Sequence, residues 1–392
     1  MAAVAEPGPL ATAIAAPAAA RLASIDLLRG LTIGFMILVN NNGGEQAFGI
    51  FKHADWNGFT PTDLVFPMFL FLVGVSIAIS TPARLQGGAS RASLLAHAMR
   101  RSAILFLLGV VVNSFPFFHF DVMRFYGVLQ RIAICYLIAV ALHLASSGWR
   151  SKLFVIVAAL TGYWLLLCLV PVPGHGLPGL DVPLLDPDRN LAAWLDRLIF
   201  SAKHLYEQTR DPEGLLSTLP ALATTLIGLL AGDWLRSGRS PSRKIVALGA
   251  AGVACVLAGT LWNAGFPINK KLWTSSYVLF AGGWSLLLLA AFLWLELRGS
   301  RAGNTSKSPW RLVLLVFGTN AIAAYMFSEL LAASLWSIPL RENLSLQQWL
   351  IELAARAASD AAVGALLYSS LFTLVCWLAV HALYRRRVFM AI

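Results

Sequence analysis

Charge is what this 392-residue sequence is short of: Asp, Glu, Lys and Arg make up only 12% of it. Water-soluble chains are about a quarter charged, so there are too few ionic side chains here to cover an aqueous surface of this size. That excludes an ordinary soluble globular protein and leaves lipid as the main solvent. Cysteine is scarce too. Cys135, Cys168, Cys255 and Cys376 all lie in apolar runs and form no CxxC pair, which argues against a disulfide framework or a zinc site. The histidines form no HxxxH pair, so no metal is expected. Residues 1–20 carry no Lys or Arg and no continuous apolar core. They do not read as a secretory signal, and a flexible cytoplasmic tail is expected there.

Apolar runs are abundant. Stretches long enough to cross a bilayer lie at about 27–40, 63–81, 102–118, 127–145, 153–171, 216–235, 245–262, 275–296, 312–331 and 361–384. They predict an all-α polytopic membrane protein, a bundle of about ten transmembrane helices forming one domain over residues 21–392. The formal net charge of +11 is spread between these runs rather than gathered on one face, which argues for topology and against nucleic acid as a partner. A cytoplasmic N-terminus puts Arg84, Arg91, Arg100, Arg101, Arg150, Lys152, Arg236, Arg239, Arg243, Lys244 and Arg385 to Arg387 inside. This satisfies the positive-inside rule and returns the C-terminus to the cytoplasm. The segments left outside are 41–62, 172–215, 263–274 and 332–360. Within them, 191–206 and 344–359 have the apolar spacing of interfacial helices.

Polar residues suited to chemistry cluster after the first run. Residues 39–67 hold Asn40, His53, Asp55, Trp56, Asn57 and Asp63 at the membrane boundary, where ionisable groups are functional candidates by default. The plain structural reading is a polar loop with His53 bound to a neighbouring carboxylate. A second set, Arg124, Gln130 and Arg131, enters the fourth run. Arg131 there either pairs with an acid, Asp121 or Asp63, or meets an anionic ligand. In the third, GFPINKKLWTSSYV (265–278), Lys270 and Lys271 run against the charge bias, while Trp273 and Tyr277 read as belt aromatics. Asp211-Pro212-Glu213 reads as the N-terminal cap of the helix that follows. Asn320 and Glu329 stand in an apolar run, where Glu329 needs a partner.

Seven motifs in order then carry a resemblance: SIDLLRG (24–30), LVN (38–40), FKHADWNGFTPTDLVFPMFLFLVG (51–74), RFYGVLQRIAICY (124–136), DPEGLLSTLPA (211–221), FPINKKLWTSSYV (266–278) and GTNAIAAY (318–325). Together they resemble the heparan-α-glucosaminide N-acetyltransferase family. The resemblance implies a transmembrane acetyltransferase that moves acetyl from cytosolic acetyl-CoA to a glucosamine amine across the membrane. It carries the family's active-site histidine onto His53 and its active-site asparagine onto Asn40, across a loop slightly longer than in the animal enzyme. It also implies a bacterial inner-membrane relative without the animal enzyme's lumenal domain, for which heparan sulfate is not the expected acceptor.

With acetyl-CoA as co-substrate and no metal, His53 is expected to act as general base and Asn40 as oxyanion donor. Acetylation of His53 itself would be the ping-pong alternative. Asp55 or Asp63 is expected to orient the imidazole. Trp56, Asn57, Arg124, Gln130, Arg131, Lys270, Trp273 and Asn320 are supporting or substrate-binding candidates. Arg100, Arg101, Arg236 and Lys244 are candidates for the CoA phosphates, though topology explains them equally well. An amino-sugar transporter that performs no acyl transfer is the rival reading. The sequence leaves the acceptor sugar, the acyl chain length and a homodimer open.

Overall fold

The computed structural model describes residues 23–146, 148–301 and 308–390. The expected tail at 1–20 lies outside the described residues. The chain is all-α, with thirteen α-helices among the described residues. These are α1 (Ala23–Asn40), α2 (Val65–Gln86), α3 (Arg91–Ser114), α4 (Val128–Ala145), α5 (Trp149–Leu169), α6 (Leu191–Phe200), α7 (Thr218–Arg236), α8 (Pro241–Trp262), α9 (Ser275–Arg301), α10 (Pro309–Thr319), α11 (Ala321–Ser337), α12 (Leu346–Ala358) and α13 (Ala361–Arg385). Among the described residues nine single helices are long and apolar enough to cross a membrane, or ten if the bent pair α10–α11 counts as one span. This is a polytopic membrane protein.

The α10–α11 pair departs from the sequence reading. The apolar run at 312–331 is bent by 80° between α10 and α11. Asn320 stands at the break, donating to the Val388 carbonyl and accepting from the Met390 N–H. Hydropathy does not register the bend because the residues on both sides are equally apolar, and broken helices are tolerated where other groups satisfy the freed backbone.

Burial separates the centre of the bundle from its rim. In α7, 78% of the most apolar stretch is buried, against 17% in α8. The outer helices present Leu107, Phe154, Val246, Leu257 and Leu261 outward, as helices solvated by lipid do. At the centre α2 and α7 touch backbone to backbone. A Cβ on Gly74 would lie 1.9 Å from the Thr225 carbonyl oxygen, and one on Gly228 would lie 1.9 Å from that of Phe71. Small residues permit this approach, which sustains helix association where lipid supplies no hydrophobic drive.

Two expectations about helix ends change. The 191–206 segment is helical only over Leu191–Phe200, stopping at Ser201, where φ is +57°. The helix expected to begin at Asp211-Pro212-Glu213 begins at Thr218; the two acids do other work, described below. The 344–359 helix is present as α12, opened by a capping box between Ser345 and Gln348.

Candidate active site

The site is built from loops that hydrogen bonds gather at one end of the bundle. Asn57 Oδ1 accepts from the Asn269 side chain (3.1 Å), and the Gly58 N–H donates to the Ile268 carbonyl (2.8 Å). Trp56 Nε1 donates to the Leu185 carbonyl (2.8 Å), with the Arg210 guanidinium over its indole. Arg124 reaches Asp211. The segments after α1, before α4, before α7 and before α9 therefore share one end.

Between α1 and α2 the sequence Thr60-Pro61-Thr62-Asp63 forms a short 3-10 turn with a capping box. Its Pro61 has the φ that a first helical position requires. Asp63 is fully buried. Its Oδ2 accepts from the backbone N–H groups of Thr60 (2.9 Å) and Ala54 (3.2 Å), and the Tyr277 hydroxyl holds its main-chain carbonyl (2.6 Å). Those contacts leave Oδ1 aimed at His53 Nδ1, 2.7 Å away. A carboxylate in that position makes Nδ1 the protonated nitrogen and leaves the lone pair on Nε2. The His53 side chain is 42% exposed while its partner is wholly covered, so the imidazole faces open space from a fixed mount. Of the two acids weighed for orienting His53, the structure brings Asp63 to the ring; Asp55 is exposed.

Lys270 lies 3.0 Å from both ring nitrogens and 3.9 Å from Asp63 Oδ1. Burial holds the His53 imidazole below its usual value of 6.5, and the Lys270 charge adds to this against the opposing pull of Asp63. Burial likewise pushes the Lys270 ammonium down, against the raising influence of Asp63 and Glu213.

Asn40 ends α1, exposed and beside Glu329 of α11. Among the described residues no hydrogen bond joins that pair to His53.

Arg124 and Arg131 take parts the sequence did not disclose. Arg124 makes a two-point contact with Asp211 (Nε to Oδ2 2.8 Å, Nη2 to Oδ1 2.5 Å) and pairs with Glu213, while its guanidinium covers the Tyr206 ring. Burial disfavours its charge, but the two carboxylates outweigh that and hold it above its ordinary range. Arg131 is fully buried and meets neither Asp121 nor Asp63. It donates to the Gly214 carbonyl (3.0 Å) and the Ser217 hydroxyl and lies over the Trp273 ring. Gln130, beside it, is fully buried against Gly109. Trp273 and Tyr277 are not belt aromatics. Both are buried, Trp273 donating to Thr224 Oγ1 (3.2 Å) and Tyr277 anchoring Asp63. Asn320, at the α10–α11 break, belongs to the C-terminal tail rather than to the His53 group.

The basic candidates lie on other helices. Arg100 and Arg236 are exposed, Arg101 covers the Tyr136 ring, and Lys244 donates to the Leu235 carbonyl (2.6 Å) at the end of α7.

The family model described as heparan-alpha-glucosaminide N-acetyltransferase, catalytic, matches residues 21–262, which carry α1 to α8 and both His53 and Asp63. The chain belongs to the heparan-alpha-glucosaminide N-acetyltransferase family. It is 31% identical to the human protein of that name over 79% of this chain and 53% of that protein, and 30% identical to the mouse protein over 79% and 54%. The chain thus spans about half the length of these relatives. The family model ends before Lys270, so Asp63 and His53 lie within the family's matched region and Lys270 beyond it.

Asp196 went unnoticed in the sequence. It sits in α6 among apolar neighbours, lining a small cavity with Arg210, Asp211, Ser217 and Lys271. A lone acid inside LAAWLDRLIF was the available signal. It is 2% exposed, and burial pushes its carboxyl up to about 7, with Asp211 adding to this against the Leu215 N–H hydrogen bond, Arg131 and Arg197. A carboxyl raised on folding stabilises the protein most below its unfolded value of 3.8, and that contribution is lost as pH climbs through about 7. Asp196→Asn should therefore match the parent only near pH 3, gain on it from about pH 4 upward, and exceed it by roughly 4 kcal/mol at pH 8, as read by thermal denaturation in detergent at pH 3 and pH 8.

Proposed function

We propose that this protein transfers an acetyl group from acetyl-CoA to the amine of a glucosamine-type sugar, with His53 as general base. One observation carries the reading: the 2.7 Å hydrogen bond from His53 Nδ1 to a buried Asp63. It orients the ring and leaves Nε2 free to take a proton. An acceptor amine must be unprotonated to attack a thioester and sheds a further proton as the amide forms. An imidazole kept below its ordinary value is in its base form at neutral pH.

In this scheme Asn40, exposed at the end of α1, donates to the oxygen that becomes negative as the amine adds, a role worth roughly 3–4 kcal/mol where a single donor has been removed. Trp56 and Asn57 shape the loop that presents His53. Arg100, Arg101, Arg236 and Lys244 are the candidates for the CoA phosphates, at the cytoplasmic face of a bacterial inner membrane with both termini inside. The acceptor then waits on the periplasmic side, next to His53.

The test uses purified protein, labelled acetyl-CoA and a panel of amino sugars. The wild type should form an N-acetyl sugar, and His53→Ala should lose about 10²–10⁴-fold of that rate. Sugar flux into vesicles without consumption of acetyl-CoA would overturn the assignment in favour of transport.

A further inference from the structure

The Lys270 ammonium stands at equal distance, 3.0 Å, from His53 Nδ1 and Nε2. A group equidistant from both ring nitrogens cannot lie along the lone pair of either, because those directions diverge. It does not block Nε2, and it is not simply the hydrogen-bond donor to the imidazole. Nor is it held there by a carboxylate of its own. The neighbouring Lys271 is committed to Glu207 at 2.9 Å, whereas the nearest acid to Lys270 is Asp63 Oδ1 at 3.9 Å, an oxygen already bound to His53. Glu213, the next carboxylate in electrostatic reach, is paired with Arg124.

The lysine is placed by a rigid turn. Asn269 is fully buried; its side chain accepts from the Leu272 N–H and donates to Asn57, and its own N–H donates to Thr274 Oγ1. Asn57 lies four residues from His53, so this hydrogen bond and that of Gly58 to Ile268 tie the two loops together. The Lys270 side chain is 19% exposed.

Asp63, Lys270 and a neutral imidazole sum to zero. Adding a proton at Nε2 while Lys270 remains charged would set two cations 3.0 Å apart against one carboxylate. A proton arriving at His53 is therefore best matched by one leaving Lys270.

We propose that Lys270 is the general acid of the transfer, giving its proton to the departing thiolate while His53 takes one from the amine. This rests on the acyl-transfer reading above. The amine nitrogen bonds to the acetyl carbon and the carbon–sulfur bond breaks. One amine proton goes to Nε2 of His53, and one Lys270 proton goes to sulfur. The proton on His53 then returns to the Lys270 amine by way of solvent, to which the imidazole is open. The products are an amide and a thiol, and the enzyme is restored with no other reactant. Burial, which makes the Lys270 ammonium more acidic, favours this role.

The test compares wild type, Lys270→Arg and Lys270→Met for the pH dependence of kcat/KM with acetyl-CoA and an accepted amino sugar. The arginine keeps the charge but does not release its proton. The wild type should show a bell, its alkaline limb set by Lys270. Both variants should lose about 100-fold or more, and Lys270→Arg should lose the alkaline limb. Lys270→Arg with wild-type rate and an unchanged alkaline limb would show that only charge is needed and would overturn the proposal.

Diethylpyrocarbonate, which modifies neutral imidazole, supplies a readout independent of turnover. In Lys270→Met the pH midpoint of His53 modification should rise, since Asp63 is then opposed by burial alone, while Lys270→Arg should leave it near wild type. An unmoved midpoint in Lys270→Met would refute the contact itself. A wild type that transfers no acetyl at any pH would overturn the acyl-transfer reading and the general-acid role with it, leaving the modification result to report on the contact.

Discussion

Asp63→Asn should leave the protein folded and reduce acetyl transfer by about 10²–10⁴-fold, with KM changed far less than kcat. The backbone N–H groups of Thr60 and Ala54 would still find an amide oxygen where Oδ2 stood, so the 3-10 turn keeps its cap. What changes is the atom facing the ring. An amide nitrogen in place of Oδ1 donates rather than accepts, so it favours the tautomer with the proton on Nε2, which cannot take a second proton from the amine. The negative charge that balances an imidazolium is lost as well. His53 is already below its ordinary value through burial and Lys270, against the raising pull of Asp63. Without Asp63 it falls further, and the acid limb of kcat/KM should move to lower pH in whatever activity remains. A variant retaining wild-type kcat would refute the orienting role; one whose acid limb moved to higher pH would refute the electrostatic account of His53.

The bundle was legible because each span is a continuous apolar run, and helices whose only solvent is lipid announce themselves by composition. The break at Asn320 was not, since a bend alters direction without altering hydropathy. His53 was legible as a chemical residue at a boundary, but its partner was ambiguous between Asp55 and Asp63. The deciding feature is the Thr60-x-x-Asp63 capping box, a pattern present in the sequence that fixes which acid turns inward.

Contacts between distant segments were hidden. Arg131 donates through one guanidinium nitrogen to Gly214 and Ser217, more than eighty positions away, and Lys270 reaches His53 across 217. Charge patterning placed Lys270 and Lys271 as a pair against the orientation bias, yet one neutralises Glu207 and the other faces an imidazole. Their equivalence in sequence is broken only by the turn at Asn269.

The largest effect on stability should come from Arg124→Met. The guanidinium serves two carboxylates, Asp211 and Glu213, whose side chains are 0% and 10% exposed. Removing it leaves two negative groups buried near one another with no cation in contact, and the loss of one member of such a cluster costs about 3–5 kcal/mol. The readout is a fall in thermal midpoint in detergent. Because Asp211 Oδ1 also accepts from the Glu213 N–H and Oδ2 from the Tyr206 N–H, the segment before α7 should loosen with it, and Arg131, held by Gly214 and Ser217 of that segment, should lose its anchor. Adding Glu213→Gln to Arg124→Met should recover part of the loss by removing one uncompensated charge. The same change bears on the site. Glu213 acts electrostatically to raise both His53 and Lys270, so freeing it from Arg124 should push the acid limb of kcat/KM upward, the opposite of Asp63→Asn. A double variant no more stable than Arg124→Met would show that the guanidinium contributes by covering Tyr206 and not by neutralising the acids.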